Sequence, residues 1–333
     1  MQKRVLAIND ISCVGRCSLT VALPIISSTG IECSILPTAI LSTHTGGFSG
    51  YTFTDFTSEL LNIANHWKSL DLKFDTIYTG FLGSKEQIEI VKKITEMFLV
   101  DNTNLIVDPA MADNGEMYSI FDREFAMEMK KLCYGATTIV PNITEACFLT
   151  GVSYQTAPHS KEFINELVTK LGELNIKSLV LTGVSYDDKH VGALTHDYVS
   201  GEEYFYSREI IPAYIHGTGD CFASALAAAI TNGKSLEEAS KISVDFTVDS
   251  ILETIKYPNI DKRYGVCFEE VLPLLIGKGT LCSKYLINHD KTYIATLKLG
   301  IKTDTADGEG KVLEEKEVPY LEIENIQNAL NKL

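Results

Sequence analysis

The run Ile215-His216-Gly217-Thr218-Gly219-Asp220-Cys221-Phe222-Ala223-Ser224-Ala225-Leu226 sets two glycines around a threonine and continues directly into small, Ala-rich residues. Glycine lets the backbone turn sharply, and the first N–H groups of a helix have no partner within it, so Gly217, Thr218 and Gly219 gather free N–H groups at one point. Such a point is an anion hole, suited to a phosphate or to charge that develops during a reaction. Asp220, at the mouth of the expected helix, has two readings: an N-terminal cap, or a general base held beside the developing charge.

Other polar residues follow apolar runs of strand length. Asn9-Asp10-Ile11-Ser12 follows Val5 to Ile8, and Asp108-Pro109 follows Leu105 to Val107. Pro141, Asn142 and Glu145 follow Thr138 to Val140, and Thr182-Gly183 follows Ser178 to Leu181. Taken singly each has a structural reading: Asp108-Pro109 ends a strand, and Asn142 with Glu145 is a capping box. Taken together and in this order they point to one composite pocket. His44 and His216 flank these loops and read as neutral, hydrogen-bonded loop histidines outside the catalytic set.

The elements that must position these groups alternate. Thr76 to Tyr78 adds a further strand-like run, and the helical patterns Lys85 to Leu99, Phe121 to Cys133 and Lys161 to Leu174 lie between the apolar stretches. That alternation predicts βαβ units around a mostly parallel sheet covered on both faces, with ligands bound beyond the carboxyl ends of the strands.

The chain of 333 residues is 45% hydrophobic, enough to bury a full core. Its net charge of -15 disfavours a sequence-independent grip on nucleic acid, although backbone N–H groups and metal can still hold phosphates. The start Met1-Gln2-Lys3-Arg4-Val5-Leu6-Ala7-Ile8 has too short an apolar run for a signal peptide, and no run approaches membrane-spanning length, so a cytoplasmic location is expected. The eight cysteines lack metal-ligand spacing and read as reduced thiols, mostly buried.

Gly217-Thr218-Gly219-Asp220 with its small-residue helix resembles the signature of the ribokinase-like kinases. The stretches Ala7-Ile8-Asn9-Asp10-Ile11-Ser12-Cys13-Val14-Gly15 and Leu41-Ser42-Thr43-His44-Thr45-Gly46-Gly47-Phe48 narrow the similarity to the pyridoxal/pyridoxamine kinases, over about residues 3 to 275. The resemblance implies a three-layer α/β/α fold and transfer of the ATP γ-phosphoryl group to the 5'-hydroxymethyl of pyridoxal, pyridoxamine or pyridoxine, a step of vitamin B6 salvage. It makes Asp220 the base, gives the anion hole to Gly217, Thr218 and Gly219, and brings Ser12, Thr45, Gly46 and Asp220 to the substrate under a lid around Thr43 to Tyr51.

Asp108-Pro109-Ala110-Met111-Ala112-Asp113 resembles a family stretch whose acids lie near the ATP phosphates and metal. Pro141-Asn142-Ile143-Thr144-Glu145 resembles the family's Asn-x-x-Glu motif, which orders magnesium through water. The implied ATP contacts are Asp108, Asp113, Asn142, Glu145, Thr182, Gly217 and Gly219, with Asp113 and Glu145 serving Mg²⁺; a monovalent cation and a homodimer also accord with the family. Position 46 is often Gln in one branch, so Gly46 leaves vitamer preference open. The related hydroxymethylpyrimidine kinases carry Cys within Gly-Thr-Gly-Cys; here Asp220 stands at that position and Cys221 follows, which favours the pyridoxal type. A hydroxymethylpyrimidine or sugar kinase of the same fold is the alternative, and a non-catalytic binding or RNA-associated fusion protein is an alternative of another class.

From Val271 to Gly310 the chain resembles an internal piece of the bacterial tRNA pseudouridine-55 synthases. Counting back from Pro273 to the position of that family's nucleophilic aspartate reaches Gly265, so the nucleophile is missing and Tyr293, which matches an active-site tyrosine, has nothing to work with. Residues 276–333 are therefore expected as an appendage, a hairpin from Lys291 with a polar turn at Thr303 to Gly308 and a helix from Ile323 to Leu330. Three readings stay open, a fusion or frame-shift remnant, an oligomerisation or RNA-contact appendage, or a coincidental hairpin; the remnant is favoured over the RNA appendage because an isolated hairpin is marginally stable and RNA affinity at this net charge is expected to be weak.

Overall fold

The computed structural model describes residues 2–272, together with two short strands at 301–303 and 312–315. The chain divides into two compact units, residues 1–282 and 283–333. In the second unit, strands Ile301–Thr303 and Val312–Glu315 pair antiparallel. Pro273, Tyr293 and the expected helix at 323–330 lie outside the described residues.

In the first unit the elements run β1 (Arg4–Val14), α1 (Leu19–Ser28), β2 (Glu32–Thr43), β3 (Phe53–Asp55), α2 (Thr57–Ser69), β4 (Thr76–Thr79), α3 (Lys85–Phe98) and β5 (Asn104–Val107). A small hairpin of β6 (Ala112–Asp113) and β7 (Glu116–Met117) follows, then α4 (Arg123–Cys133), β8 (Thr138–Ile139), α5 (Ile143–Thr150) and α6 (Lys161–Gly172). Last come β9 (Ser178–Val184), β10 (His190–Asp197), β11 (Glu203–Glu209), α7 (Thr218–Thr231) and α8 (Leu236–Ile255).

The main sheet has nine strands in the order β11-β10-β9-β8-β5-β4-β1-β2-β3. The strands from β9 through β2 are parallel to their neighbours, while β10, β11 and β3 close the edges antiparallel. This is the expected α/β fold. Alternation along β1 shows how both faces are covered: Leu6 and Ile8 join a core with residues of α2 to α6, whereas Val5 and Ala7 join one with α1, α7 and α8. A third cluster packs Val21 and Ile25 of α1 and Phe246 of α8 against Val266, Phe268 and Val271.

One local expectation changes. Asn9 to Ser12 are not a loop: β1 runs on to Val14, because its distal half pairs with β2 as far as Thr43. Strand order reverses at β1, between β2 on one side and β4 on the other, which is where open α/β sheets place ligands.

Candidate functional site

A cavity of about 480 Å³ lies beyond the carboxyl ends of β5, β8 and β9 and against the start of α7. Asp108, Asp113, Asn142, Glu145 and Thr182 line it, as do Gly217, Thr218, Gly219 and Asp220. Its lining contains five acidic residues, Asp108, Asp113, Glu145, Glu209 and Asp220, and no Lys or Arg. A polyanion entering this space must be held by backbone N–H groups and by cations that accompany it.

The N–H groups come from α7. Gly217 is the helix cap, with φ of 80°, and a side chain there would collide with the Arg16 carbonyl, so the sharp turn requires glycine. The first intrahelical bond runs from Cys221 N–H to the Gly217 carbonyl at 3.0 Å. Thr218, Gly219 and Asp220 precede it, and their N–H groups have no protein acceptor among the described residues. Asp220 is the third residue of the helix, an acid in its first turn, and makes no capping hydrogen bond there.

Burial pushes the Asp220 carboxyl above its ordinary value of 3.8, and the Ser18 backbone N–H and the Asn9 side chain work against that rise. Asn9 is fully buried, its Oδ1 accepts from the Asp10 N–H at 2.9 Å, and its Nδ2 makes no hydrogen bond of normal geometry. Gly80 packs so tightly on the Asn9 amide that any side chain at position 80 would overlap it. Asp10, itself buried, is pushed up to about 6, chiefly by burial and in part by the charge of Asp220.

Asn142 and Glu145 are a capping box in fact. The Asn142 Oδ1 accepts from the Glu145 N–H at 2.9 Å, and Glu145 Oε2 accepts from the Asn142 N–H at 2.9 Å. Glu145 Oε1 also accepts from the Met111 N–H at 3.1 Å, and the Asn142 side chain donates to the Ala112 carbonyl at 2.8 Å. The cap thus ties α5 to the hairpin that carries Asp113. That hairpin turns at Asn114-Gly115, both with positive φ, and the Gly115 N–H donates to Thr144 Oγ1. Burial pushes Asp108 and Glu145 up, with the charges of Glu145 and Asp220 adding to Asp108 and that of Asp113 adding to Glu145. Among the described residues no three acids, histidines or cysteines cluster as a protein-only metal cage.

Ser12, Thr45 and Gly46 do not line this cavity. Ser12 is fully buried in β1, where its hydroxyl donates to Asp10 Oδ2 at 3.4 Å, and Thr45 is exposed. His44 is buried and bonded: its Nδ1 accepts from the Gly46 N–H at 3.1 Å and its Nε2 meets the Arg263 carbonyl at 2.5 Å. That pattern fixes the Nε2-protonated neutral ring, and burial lowers its pKa. His216 departs from the expectation of a hydrogen-bonded histidine: it lines the cavity and its ring nitrogens make no hydrogen bond among the described residues. Tyr118, Tyr214, Val244, Thr247 and Val248 also line the cavity and were not singled out from sequence. The α8 segment, Leu236–Ile255, was not read as a helix from sequence, so its cavity-facing residues went unseen.

Residues 23–265 match the family model described as phosphomethylpyrimidine kinase. The chain belongs to the phosphomethylpyrimidine kinase family. The hydroxymethylpyrimidine/phosphomethylpyrimidine kinase of Bacillus subtilis is 29% identical to this family member over 191 residues, 56% of the chain and 66% of that relative. A phosphomethylpyrimidine kinase homologue of Bacteroides thetaiotaomicron, solved with pyridoxal, superposes with a TM-score of 0.78 at 35% identity, covering 83% of this chain and 96% of that one. The pyridoxal kinase of Lactobacillus plantarum superposes with a TM-score of 0.74 at 27% identity, over 87% and 100% of the two chains. Both carry the ribokinase-like fold expected from sequence. Residues 269–333 match the model of the N-terminal domain of the TruB family pseudouridylate synthases. There, tRNA pseudouridine synthase B of Francisella philomiragia is 43% identical over 63 residues, 19% of this chain and 21% of that relative.

Proposed function

We propose that this protein transfers the γ-phosphoryl group of ATP to the hydroxymethyl group of a pyridine, with pyridoxal, pyridoxamine or pyridoxine as acceptor. The observation that carries the reading is Asp220 at the third position of α7, beside three N–H groups without acceptors, in a cavity rich in acids. Asp220 accepts the proton of the acceptor hydroxyl, and the N–H groups of Thr218 and Gly219, joined by that of Asp220, stabilise charge on the phosphoryl group in flight. Gly217 shapes the loop, and Thr182 borders the nucleotide.

Magnesium fits the residues present. Buried carboxylates that lack a cationic side chain in the same cavity need a counter-charge, and a cation that keeps its waters needs only one or two of them plus phosphate oxygens. Asp108, Asp113 and Glu145 are the residues that would hold it, Glu145 through water because both its oxygens already accept N–H groups. Bound there, Mg²⁺ supplies neutralisation of the phosphate charge.

Hydroxymethylpyrimidine is the second reading, favoured by the family model and by the Bacillus subtilis relative. ADP release measured across pyridoxal, pyridoxamine, pyridoxine, hydroxymethylpyrimidine and ribose separates the two. The first reading predicts the highest kcat/KM with a pyridine; a preference for the pyrimidine replaces it with the second, and no turnover with any acceptor removes both.

A further inference from the structure

Gly46 and His216 come from distant parts of the chain and are in tight contact. A Cβ at position 46 would lie 2.6 Å from His216 Cε1 and 2.8 Å from its Nδ1. The imidazole therefore occupies the volume into which a side chain at position 46 would project. The ring is held by others: its centroid is 5.1 Å from that of His44 and 5.4 Å from that of Tyr214, which meets it edge-on at 80°. His44 is in turn fixed by its bonds to Gly46 and Arg263, and Phe48 packs on it at 5.0 Å. His216 thus has a fixed position and two unused ring nitrogens, in a cavity it shares with Asp220 four residues further on.

We propose that His216 is a specificity-determining residue, the side chain that hydrogen-bonds the heteroaromatic acceptor, in place of a side chain at position 46. The inference rests on the kinase reading above. His216 belongs to the acceptor because it joins the segment 44–48 to the residue that opens the phosphoryl-binding loop, and so stands where the acceptor hydroxyl meets the γ-phosphate. Burial lowers its pKa, against the opposing charge of Asp113. A neutral imidazole offers one donor and one acceptor, which matches a ring bearing a nitrogen and a hydroxyl or amino substituent. The positioning residue is His44, which touches the His216 ring and leaves recognition to it.

Steady-state kinetics on the full chain, with pyridoxal and ATP varied separately, test this. His216→Ala is expected to raise the KM for pyridoxal at least ~10-fold, the scale of a lost hydrogen bond in a buried site, and to keep the KM for ATP within about twofold. Gly46→Ala, which displaces the ring, should raise the same KM, and the double variant should be no worse than His216→Ala alone, since both act through one ring. His216→Asn, which keeps a donor and an acceptor, should recover part of the loss and serves where the alanine variant fails to fold. An unchanged pyridoxal KM in a folded His216 variant, or additive effects of the two substitutions, overturns the proposal. Absorbance titration with pyridoxal in the absence of ATP separates this from failure of the kinase reading. Binding that depends on His216 without any turnover removes the kinase reading alone; turnover indifferent to His216 removes this proposal alone; and no binding by the native chain overturns the proposal.

Discussion

Asp220 sits where three influences meet: burial raises its pKa, while Asn9 and the Ser18 N–H lower it. As a base it must be ionised, so activity should rise with pH through its pKa and be lost below it. Asn9→Ala removes one of the two opposing contacts, leaving burial less compensated and the pKa higher. The acid limb of the kcat profile should therefore move to higher pH, with the KM for ATP little changed. A profile that scales down without moving would show that Asn9 only supports the fold. The Gly217 to Asp220 loop was legible because its chemistry lies in four consecutive residues. The Asn9 contact was not, since it joins β1 to α7 across more than half the chain.

The first half of β1 and strands β4, β5, β8 and β9 were readable as short apolar runs, whereas β2 was not, and α3, α4 and α6 begin or end within two residues of their apolar patterns. The antiparallel strands β10 and β11 went unread, although Asp197 to Gly201 between a Thr/Val-containing run and an aromatic run is a hairpin signal. Polar residues in β1 hid its distal half, because a strand that ends at a site presents chemistry where a core strand presents Val and Ile. The Asn142 and Glu145 pair shows how two readings coexist: the capping box forms, and it is the cap that holds Glu145 at the cavity wall. The segment at 266–271 belongs to the core with α1, α7 and α8. Phe268 is 2% exposed there, so Phe268→Ala should cost about 3–5 kcal/mol, measured by urea unfolding of the chain. A loss below ~1 kcal/mol would show that this segment is not part of the folded core.

At the scale of the whole molecule, two family likenesses succeed each other, residues 23–265 and then 269–333. They differ in what they bring. The first brings the acid-lined cavity at the start of α7; at Gly265, the position counted back to for the aspartate expected from the pseudouridine-synthase resemblance, the backbone has φ of 84° and packs on the Arg16 carbonyl, leaving no space for a side chain. Ending the chain after Cys282, at the boundary of the first compact unit, should leave phosphoryl transfer within about twofold of the full chain; loss of soluble enzyme would show that the remainder is required for folding.

The central claim is that Asp220 is the base of an ATP-dependent kinase. A single-turnover assay with pyridoxal, ATP and Mg²⁺, comparing the native chain with Asp220→Asn, addresses it directly. Substitution should leave nucleotide binding intact and slow phosphoryl transfer at least ~100-fold, the scale of a positioned general base. Transfer at the native rate in the folded Asn variant would contradict it.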